Sequence, residues 1–312
     1  MKLGIIGGAG LLGATTAFHV AACGLMSEIT LYDVKENLAK SHAMDIEQAV
    51  CECSETKLRC GALDELGDCD IILNTAGVPE RAVSSRDEFL SGNIEILREL
   101  AARIRSWGTS PVIVSATNPI DVLNYKFFEM SGLPAERFVG FCRNDTQRFK
   151  WAVAAETGIP AQQLDALVIG EHGDGQVPIF GSLKHIDADT ALNLGDTQKT
   201  SILNRVKTWF GDYQSLDSGR SSGWTSGMGL QRIISMIVVD DIFAGSDFNS
   251  NDICSCSVIP SGQYGLHGLS IGLPVRLGHC GVREIVELDL TDDENTALQA
   301  AAEKIQSAIK SC

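Results

Sequence analysis

The sequence predicts an α/β protein, in which a doubly wound parallel sheet is followed by a mixed α/β second domain. Three observations support this prediction. A glycine-rich turn follows the first apolar run, apolar runs alternate with helical patterns through the first half, and long helices with antiparallel strand patterns fill the second half. Because 312 residues exceed the usual size of one hydrophobic core, we expect two domains, residues 1–143 and residues 144–312.

The first element is a short strand over residues 1–7, and a turn with three spaced glycines follows it directly. The turn reads Gly8-Ala9-Gly10-Leu11-Leu12-Gly13 and opens an alanine-rich helix that extends to about residue 23. Gly8 permits the turn, Gly10 lets a pyrophosphate approach backbone N–H groups, and Gly13 lets the helix pack closely on the strand. A G-x-G-x-x-G motif between a strand and a helix predicts a dinucleotide-binding (Rossmann) domain.

The second strand, residues 28–33, ends in an acidic residue that indicates which dinucleotide is bound. Asp33 lies 20 residues after Gly13 and is placed to accept hydrogen bonds from both hydroxyls of an adenosine ribose. Its charge would repel a 2′-phosphate. The predicted cofactor is therefore NAD rather than NADP.

The rest of the first domain alternates helices with buried strands, whose carboxyl ends face the ligand crevice of an open α/β sheet. In the first of these helices we expect Leu38, Met44 and Ile46 to be buried. The predicted helices cover residues 35–50, 88–106 and 143–157, and the predicted strands cover residues 69–77, 111–116 and 138–141.

Polar segments follow several of these strands. The loop over residues 78–87 is long and polar and carries Arg81 and Arg86, which is typical of an active-site lid. The turn Thr117-Asn118-Pro119 places the Asn118 amide at the crevice. Asp145 and Arg148 are three residues apart and share a helix face, so they form either a surface ion pair or a catalytic carboxylate with a substrate anchor.

The second domain contains the strongest candidate for proton transfer. An apolar strand over residues 166–169 leads to His172, which lies between Gly170 and Gly173. Imidazole titrates near neutral pH, and the glycines allow a ligand to approach closely. A capping box, Thr291 with Glu294, begins the last helix. The other predicted elements are helices over residues 197–210 and 220–243 and antiparallel strands over residues 253–259 and 269–277.

The composition excludes several functional classes. Lysine and arginine number 25 against 40 acidic residues, and the resulting net charge of −15 disfavours binding to nucleic acid or anionic membranes. No apolar run approaches the ~20 residues that span a bilayer. The ten cysteines are irregularly spaced and predict free thiols rather than a metal site. With no signal peptide before the first motif, we expect a cytoplasmic protein.

Taken together, these motifs resemble the lactate/malate dehydrogenase family along nearly the whole chain. The resemblance implies an oxidoreductase that transfers a hydride between NAD and a small (S)-2-hydroxy acid or its 2-oxo acid, and a homodimer or homotetramer. The matching segments are Gly8–Gly13, Asp33, the loop from Ala76-Gly77-Val78-Pro79 to Arg86-Asp87, Thr117-Asn118-Pro119, Asp145-x-x-Arg148-Phe149 and Gly170-Glu171-His172-Gly173-Asp174.

The resemblance also implies a role for each matching residue. His172 would be the acid/base residue, Asp145 would orient its ring and favour the imidazolium, and Arg148 would bind the C1 carboxylate of the substrate. Arg86 would close over the substrate and polarise its carbonyl group. Asn118 would contact the substrate and the nicotinamide ribose. Further cofactor contacts would come from Asn93, Ala116 and Thr117.

One position departs from the family pattern and concerns substrate choice. Lactate-type members usually carry glutamine at the fifth residue of the loop motif and malate-type members carry arginine, but here it is Glu80, followed by Arg81. A carboxylate there would repel the second carboxylate of oxaloacetate, whereas Thr225 resembles the lactate-type pattern. We therefore favour a lactate-type substrate.

Three other interpretations remain open at the level of sequence. The first is a malate dehydrogenase in which Arg81 clamps the distal carboxylate. The second is a non-catalytic NAD-binding protein, an interpretation encouraged only by Glu80. The third is an NAD-dependent glycosidase, which would need a divalent metal at a Cys/His site and a longer chain. The remaining histidines, at positions 19, 42, 185, 267 and 279, are interpreted as structural.

Overall fold

A computed structural model describes residues 1–78, 86–187, 190–219, 222–239 and 252–312, with backbone alone for residues 86–88. The helices in these segments are α1 (Leu11–Cys23), α2 (Glu36–Val50), α3 (Arg86–Trp107), α4 (Ile120–Ser131), α5 (Arg143–Thr157), α6 (Asp196–Ser215), α7 (Trp224–Val238) and α8 (Asp292–Lys310). The strands are β1 (Lys2–Ile6), β2 (Glu28–Tyr32), β3 (Lys57–Cys60), β4 (Ile71–Asn74), β5 (Val112–Ser115), β6 (Phe138–Gly140), β7 (Leu164–Asp165), β8 (Val168–Gly170), β9 (Gln176–Pro178), β10 (Lys184–His185), β11 (Thr190–Ala191), β12 (Cys254–Val258), β13 (Ile271–Gly278) and β14 (Gly281–Ile285).

The first half of the chain forms the predicted doubly wound parallel sheet. Its strand order is β3-β2-β1-β4-β5-β6, and all five neighbouring pairs are parallel. The order reverses between β1 and β4, where Ile6 is in register with Asn74. A sheet of this type binds its ligand outside the carboxyl ends of the strands at such a reversal. The turn after β1 and the segment after β4 therefore border the crevice.

The second half of the chain extends the same sheet with antiparallel strands. Strand β12 pairs with β6 through Ser257 and Gly140, and β13, β8 and β9 follow in that order. Strand β14 also pairs with β13, along Val275–Gly278, the end of β13 away from its pairing with β8 at Gly272. A small separate sheet contains β11, β10 and β7. The larger sheet therefore continues from one half of the chain to the other and connects the β8–β9 hairpin to the nucleotide-binding strands. The prediction of a mixed α/β second half is confirmed.

The core lies on both faces of the parallel strands. Ile71, Ile72 and Leu73 are consecutive in β4 and are all fully buried. Side chains that follow one another in a strand point to opposite faces, so complete burial of three in succession requires a covering layer on each side. Helices supply these layers, which explains why the strands read as continuous apolar runs.

The burial predicted for α2 is wrong at two of three positions. Ile46 is buried, but Leu38 and Met44 are 41% and 65% exposed. The buried residues are Ala39, Ala43, Ile46 and Val50, whose spacings of four, three and four residues trace one helical stripe. The two long apolar side chains lie off this stripe, because a helix that packs closely on a sheet buries its alanines there.

Most other predicted elements are confirmed within a few residues, including the antiparallel pairing of β12 with β13. The capping box of α8 is present, since Glu294 N–H donates to Thr291 Oγ at 3.2 Å and Thr291 N–H donates to Glu294 Oε2 at 3.0 Å. Helix α4 was not predicted, nor were strand β3 and the short strands β7, β9, β10, β11 and β14. Among the described helices, none is long and apolar enough to cross a membrane.

Candidate active site

The turn between β1 and α1 has the close backbone packing that a bound pyrophosphate needs. A Cβ atom on Gly13 would lie 2.4 Å from the carbonyl oxygen of Gly7, and one on Gly8 would lie 2.8 Å from Leu31 Cβ. No larger residue fits at either position without moving the backbone. Gly10 precedes the first turn of α1 without a side-chain cap, so the N–H groups of that turn remain available to an anion.

Asp33 lies beside this turn, directly after β2. Its Oδ2 accepts a hydrogen bond from Ala9 N–H at 3.0 Å, and its Oδ1 accepts one from Lys35 N–H at 2.9 Å. Each carboxylate oxygen still has a free lone pair. The hydrogen bond from Ala9 thus ties the Asp33 carboxylate to the glycine turn. The free lone pairs of its oxygens can accept hydrogen bonds from a ligand in the crevice. These residues fit an NAD molecule.

The floor of the crevice is formed by the segments that follow β4 and β5. Asn93, which is 1% exposed, accepts from Val78 N–H at 2.7 Å and donates to the carbonyl oxygen of Asn118 at 3.1 Å. Thr117 Oγ donates to the carbonyl oxygen of Ala76 at 2.7 Å. Ala116 and Thr117 are half-buried and Asn118 is exposed. The Asn93 carboxamide thus joins the two segments and shapes the crevice.

His172 lies in the short loop that joins β8 to β9. Gly170, the last residue of β8, has a φ of 89°. A Cβ atom there would lie 2.5 Å from the carbonyl oxygen of Gly175. A residue in this region of φ with so little space has to be glycine. Since Gly170 pairs with Gln176 across the loop, the histidine is held at the tip of a tight hairpin.

The acidic neighbour of His172 has a structural partner. Glu171 Oε2 accepts from Gly175 N–H at 3.0 Å and from Lys304 Nζ at 2.6 Å. Lys304 belongs to α8, so this carboxylate fastens the hairpin loop to the C-terminal helix. Asp174, the other acidic neighbour, is exposed.

The structure brings His172 and Asp145 together across 27 residues of sequence. His172 Nδ1 lies 2.6 Å from Asp145 Oδ2, and the two side chains are 16% and 4% exposed. Burial lowers the pKa of His172, but the charge of Asp145 and its hydrogen bond raise it, and the pKa lies above its usual value. The pair therefore favours the imidazolium, while Nε2 remains for a ligand.

Arg148 is one helical turn beyond Asp145 on α5, as the spacing predicts. Its Nη1 lies 3.7 Å from Asp145 Oδ1, an oxygen that accepts a hydrogen bond from Gln176 Nε2 at 3.1 Å. The Arg148 side chain is only 16% exposed. Asp145 and Arg148 are therefore not a surface ion pair; they form a mostly buried acid and cation next to an imidazole.

Asp121 is a buried carboxylate behind His172 that sequence reasoning missed. Its Oδ2 accepts from His172 N–H at 2.8 Å, and its Oδ1 accepts from Ser257 Oγ at 2.5 Å. Burial raises the pKa of Asp121 to about 6, although the two hydrogen bonds lower it. The carboxylate thus joins α4, β12 and the hairpin loop. The only sequence signal is an aspartate in the apolar first turn of a helix after the Asn-Pro turn.

Four other predicted site residues are placed less completely. Glu80 and Arg81 lie outside the described residues. Arg86 is the first residue of α3, and its side chain is not described. Thr225 lies in the first turn of α7 and is half-buried. Helix α7 packs against α1, which carries the glycine motif.

The arrangement has the groups that a proton transfer next to an anion requires. The imidazole of His172 can donate or accept a proton at Nε2, Asp145 stabilises its charged form, and the guanidinium of Arg148 can bind a carboxylate. In the segments that the structure describes, no group of three or more His, Cys, Asp or Glu side chains could hold a metal ion.

Comparison with known protein families covers both halves of the chain. Residues 1–140 match the NAD-binding domain of lactate/malate dehydrogenases, and residues 143–312 match the α/β C-terminal domain of the same enzymes. The chain belongs to the lactate/malate dehydrogenase family. It is an NAD-dependent 2-hydroxy-acid dehydrogenase, and the predicted cofactor, NAD, is confirmed.

Individual members of the family are similar over nearly their whole length. The malate dehydrogenase of Thermomicrobium roseum is 31% identical, over 99% of this chain and 97% of the relative. The malate dehydrogenase of Halobacterium salinarum is 28% identical, over 98% of this chain and 97% of the relative.

Solved structures with the same fold include both types of family member. Malate dehydrogenase from Salinibacter ruber superimposes with a TM-score of 0.88 at 29% identity, covering 99% of this chain and 97% of the other. The minor L-lactate dehydrogenase from Enterococcus mundtii superimposes with a TM-score of 0.88 at 25% identity, covering 99% of this chain and 98% of the other. Overall similarity therefore does not separate lactate from malate as substrate.

Proposed function

We propose that His172 is the acid/base residue of this dehydrogenase, that Asp145 is its charge partner and that Arg148 binds the C1 carboxylate of the substrate. The observation that carries this proposal is the 2.6 Å contact between His172 Nδ1 and Asp145, with the Arg148 guanidinium close to the other oxygen of the same carboxylate. The charge partner of the imidazole and the anion clamp are thus held by one helix, α5.

The proposed reaction follows from what each group can do. In the reductive direction, Arg148 binds the carboxylate of a 2-oxo acid and holds its carbonyl oxygen near His172 Nε2. Bound NADH supplies the hydride that reduces the carbonyl carbon. His172 donates its Nε2 proton to the oxygen, and the ring becomes neutral. In the oxidative direction, the neutral ring accepts the hydroxyl proton, and Asp145 stabilises the resulting imidazolium.

For the cofactor site, we propose that Gly8, Gly10 and Gly13 accommodate the pyrophosphate and that Asp33 accepts hydrogen bonds from the adenosine ribose. The exposed Asn118 side chain would contact both the nicotinamide ribose and the substrate. Ala116 and Thr117 line the same crevice. Asn93 remains a proposed cofactor-contact position, and its two backbone hydrogen bonds support a contribution through the shape of the crevice.

Arg86 is proposed to polarise the substrate carbonyl, because a cation near that oxygen stabilises the charge that develops during hydride transfer. Arg86 is the first residue of α3, in the polar segment that the sequence predicts to lie at the active site. We also propose that the loop closes over the substrate and excludes water.

The proposed substrate is of the lactate type, a 2-oxo acid whose side chain carries no second carboxylate. Glu80 supports this proposal, because two carboxylates at contact distance repel each other by about 1 kcal/mol even when water screens them. Thr225 is proposed to fill the pocket on the opposite side. A side chain with a cationic or polar group would pair with Glu80.

Malate is the second candidate substrate. The two relatives named above from the sequence comparison, from Thermomicrobium roseum and Halobacterium salinarum, are both malate dehydrogenases. Arg81, next to Glu80, would then bind the distal carboxylate of oxaloacetate.

A panel of 2-oxo acids tests these proposals. NADH oxidation would be measured with pyruvate, oxaloacetate, longer aliphatic and aromatic acids, and one acid with a cationic tail. A lactate-type site is expected to prefer an uncharged side chain, and Glu80→Gln is expected to improve the use of oxaloacetate. If oxaloacetate is preferred and Arg81→Gln abolishes that preference, the malate proposal replaces the lactate proposal. No turnover with any acid would contradict the proposed function.

The division of the chain into residues 1–143 and residues 144–312 remains our proposal for the two domains. We also propose a homodimer or homotetramer that works in the cytoplasm. Light scattering of the purified protein would give the mass of the assembly and decide between two and four chains.

A further inference from the structure

The clamp residue Arg148 is mostly buried but uses none of its hydrogen-bond donors within the described part of the chain. Its closest acidic oxygen, Asp145 Oδ1, is 3.7 Å from Nη1, beyond hydrogen-bond distance. The two oxygens of Asp145 are already engaged, one by His172 and the other by Gln176. A largely buried guanidinium with five N–H donors is costly to leave unpaired, which favours binding of an anion. Because no hydrogen bond fixes the guanidinium before the anion binds, another contact has to hold it in position.

An aromatic ring on the neighbouring helix supplies such a contact. Arg148 Cζ lies over the ring of Trp209, 4.5 Å from the ring centroid, within the distance at which a cation and a π-face attract each other. Trp209 belongs to α6 and is half-buried. It stacks on Tyr213, one turn later, with a centroid distance of 5.3 Å and an angle of 14°. Because Tyr213 supports it, the indole is a fixed surface for the guanidinium.

We propose that Trp209 is a positioning residue for substrate binding. Its ring holds one face of the Arg148 guanidinium and leaves the N–H groups at the edge for the substrate carboxylate. The donors of a guanidinium lie in its plane, so a ring that covers the face removes none of them. This inference rests on the proposed role of Arg148, and it adds that α6 orients the clamp.

The stack predicts a specific kinetic effect. The carboxylate of the substrate keeps its charge throughout the reaction, so Arg148 binds the ground state and the transition state equally. Loss of such uniform binding raises KM and leaves kcat unchanged. A residue that only stabilised the fold would instead lower the amount of active enzyme or weaken NADH binding.

The chain provides a matched control on the same two helices. Arg205 on α6 has its Cζ 5.7 Å from the ring centroid of Trp151 on α5, and Trp151 is 44% exposed. This second Trp–Arg pair has the same chemistry, but neither residue belongs to the proposed site. Trp151→Leu therefore removes an indole from the same helix pair without affecting the clamp.

The experiment compares the wild type with Trp209→Leu, Trp209→Phe and Trp151→Leu, each as the full chain. The kinetic readouts are KM and kcat with the preferred 2-oxo acid. The binding readouts are the Kd of NADH and, by calorimetry on the enzyme–NADH complex, the Kd of oxamate, an unreactive carboxylate. For Trp209→Leu we expect KM and the oxamate Kd to rise by about 3- to 30-fold, with kcat and NADH affinity unchanged. Trp209→Phe should have a smaller effect, and Trp151→Leu none.

An oxamate Kd for Trp209→Leu that equals those of the wild type and Trp151→Leu would overturn the inference, as would a loss confined to kcat. If Trp209→Leu no longer binds NADH, the comparison passes to Trp209→Met, which also removes the aromatic ring, and an unchanged oxamate Kd for that variant would be equally contradictory. A wild type that binds oxamate but reduces no 2-oxo acid would refute the proposed function, and the Trp209 variants would still decide this inference. A wild-type enzyme that neither binds oxamate nor reduces any 2-oxo acid would overturn both the proposed function and this inference.

Discussion

Replacement of Asp145 by asparagine tests the link between the imidazole and its charge partner. The carboxylate of Asp145 lies 2.6 Å from His172 Nδ1, and its charge raises the pKa of His172. Asp145→Asn keeps the shape of this side chain but removes its charge. A hydrogen bond to a charged group contributes about 1.5–3 kcal/mol. Since 1.36 kcal/mol corresponds to a factor of ten in rate, we expect kcat/KM for 2-oxo acid reduction to fall by about 10- to 150-fold near neutral pH.

The pH dependence of the same variant gives a second, independent readout. Reduction needs the imidazolium, so kcat/KM falls as the pH rises through the pKa of His172. Asp145→Asn lowers that pKa, and the fall should therefore begin at a lower pH than in the wild type. The assay is the decrease in NADH absorbance with a saturating cofactor, and the Kd of NADH is the control. A variant with unchanged kcat/KM and an unchanged pH profile would refute the role of Asp145.

Two further predictions concern the cofactor and the support of the catalytic loop. Asp33→Ser removes the carboxylate expected at the adenosine ribose. KM for NADH should therefore rise by about tenfold or more, and the ratio of NADPH activity to NADH activity should increase. An unchanged ratio would exclude a contact between Asp33 and the ribose. Asp121→Asn removes a buried charge that raises the pKa of His172, so the fall in kcat/KM for reduction should begin at a lower pH. An unchanged profile for Asp121→Asn would limit Asp121 to a structural role.

The cofactor side of the crevice could be predicted from sequence because its requirements are local. Gly13 has to be glycine because a Cβ atom would meet the backbone of Gly7, only six residues away in sequence. Asp33 likewise lies at the end of a strand that immediately follows the helix of the motif. The spacing between Asp145 and Arg148 predicts a shared face, because both lie on one helix. These features depend on turn and helix geometry, which neighbouring residues determine.

The supporting residues of the site could not be predicted, because their partners are far away in sequence. Asp121 accepts hydrogen bonds from His172, 51 residues away, and from Ser257, 136 residues away. Trp209 meets Arg148 only because α5 and α6 pack together. The wrong burial prediction for α2 also arises from distant contacts. Periodicity shows that a helix has an apolar side, but the surface on which the helix packs decides whether Leu38 or Ala39 is buried.

The most direct test of the proposed mechanism is His172→Ala, measured by NADH oxidation with the best 2-oxo acid of the wild type and by NADH titration. The expected result is that NADH binds with the affinity of the wild type, because the contacts proposed for the cofactor come from other residues, while turnover is abolished. Turnover near the wild-type rate would contradict the assignment of His172 as the acid/base residue.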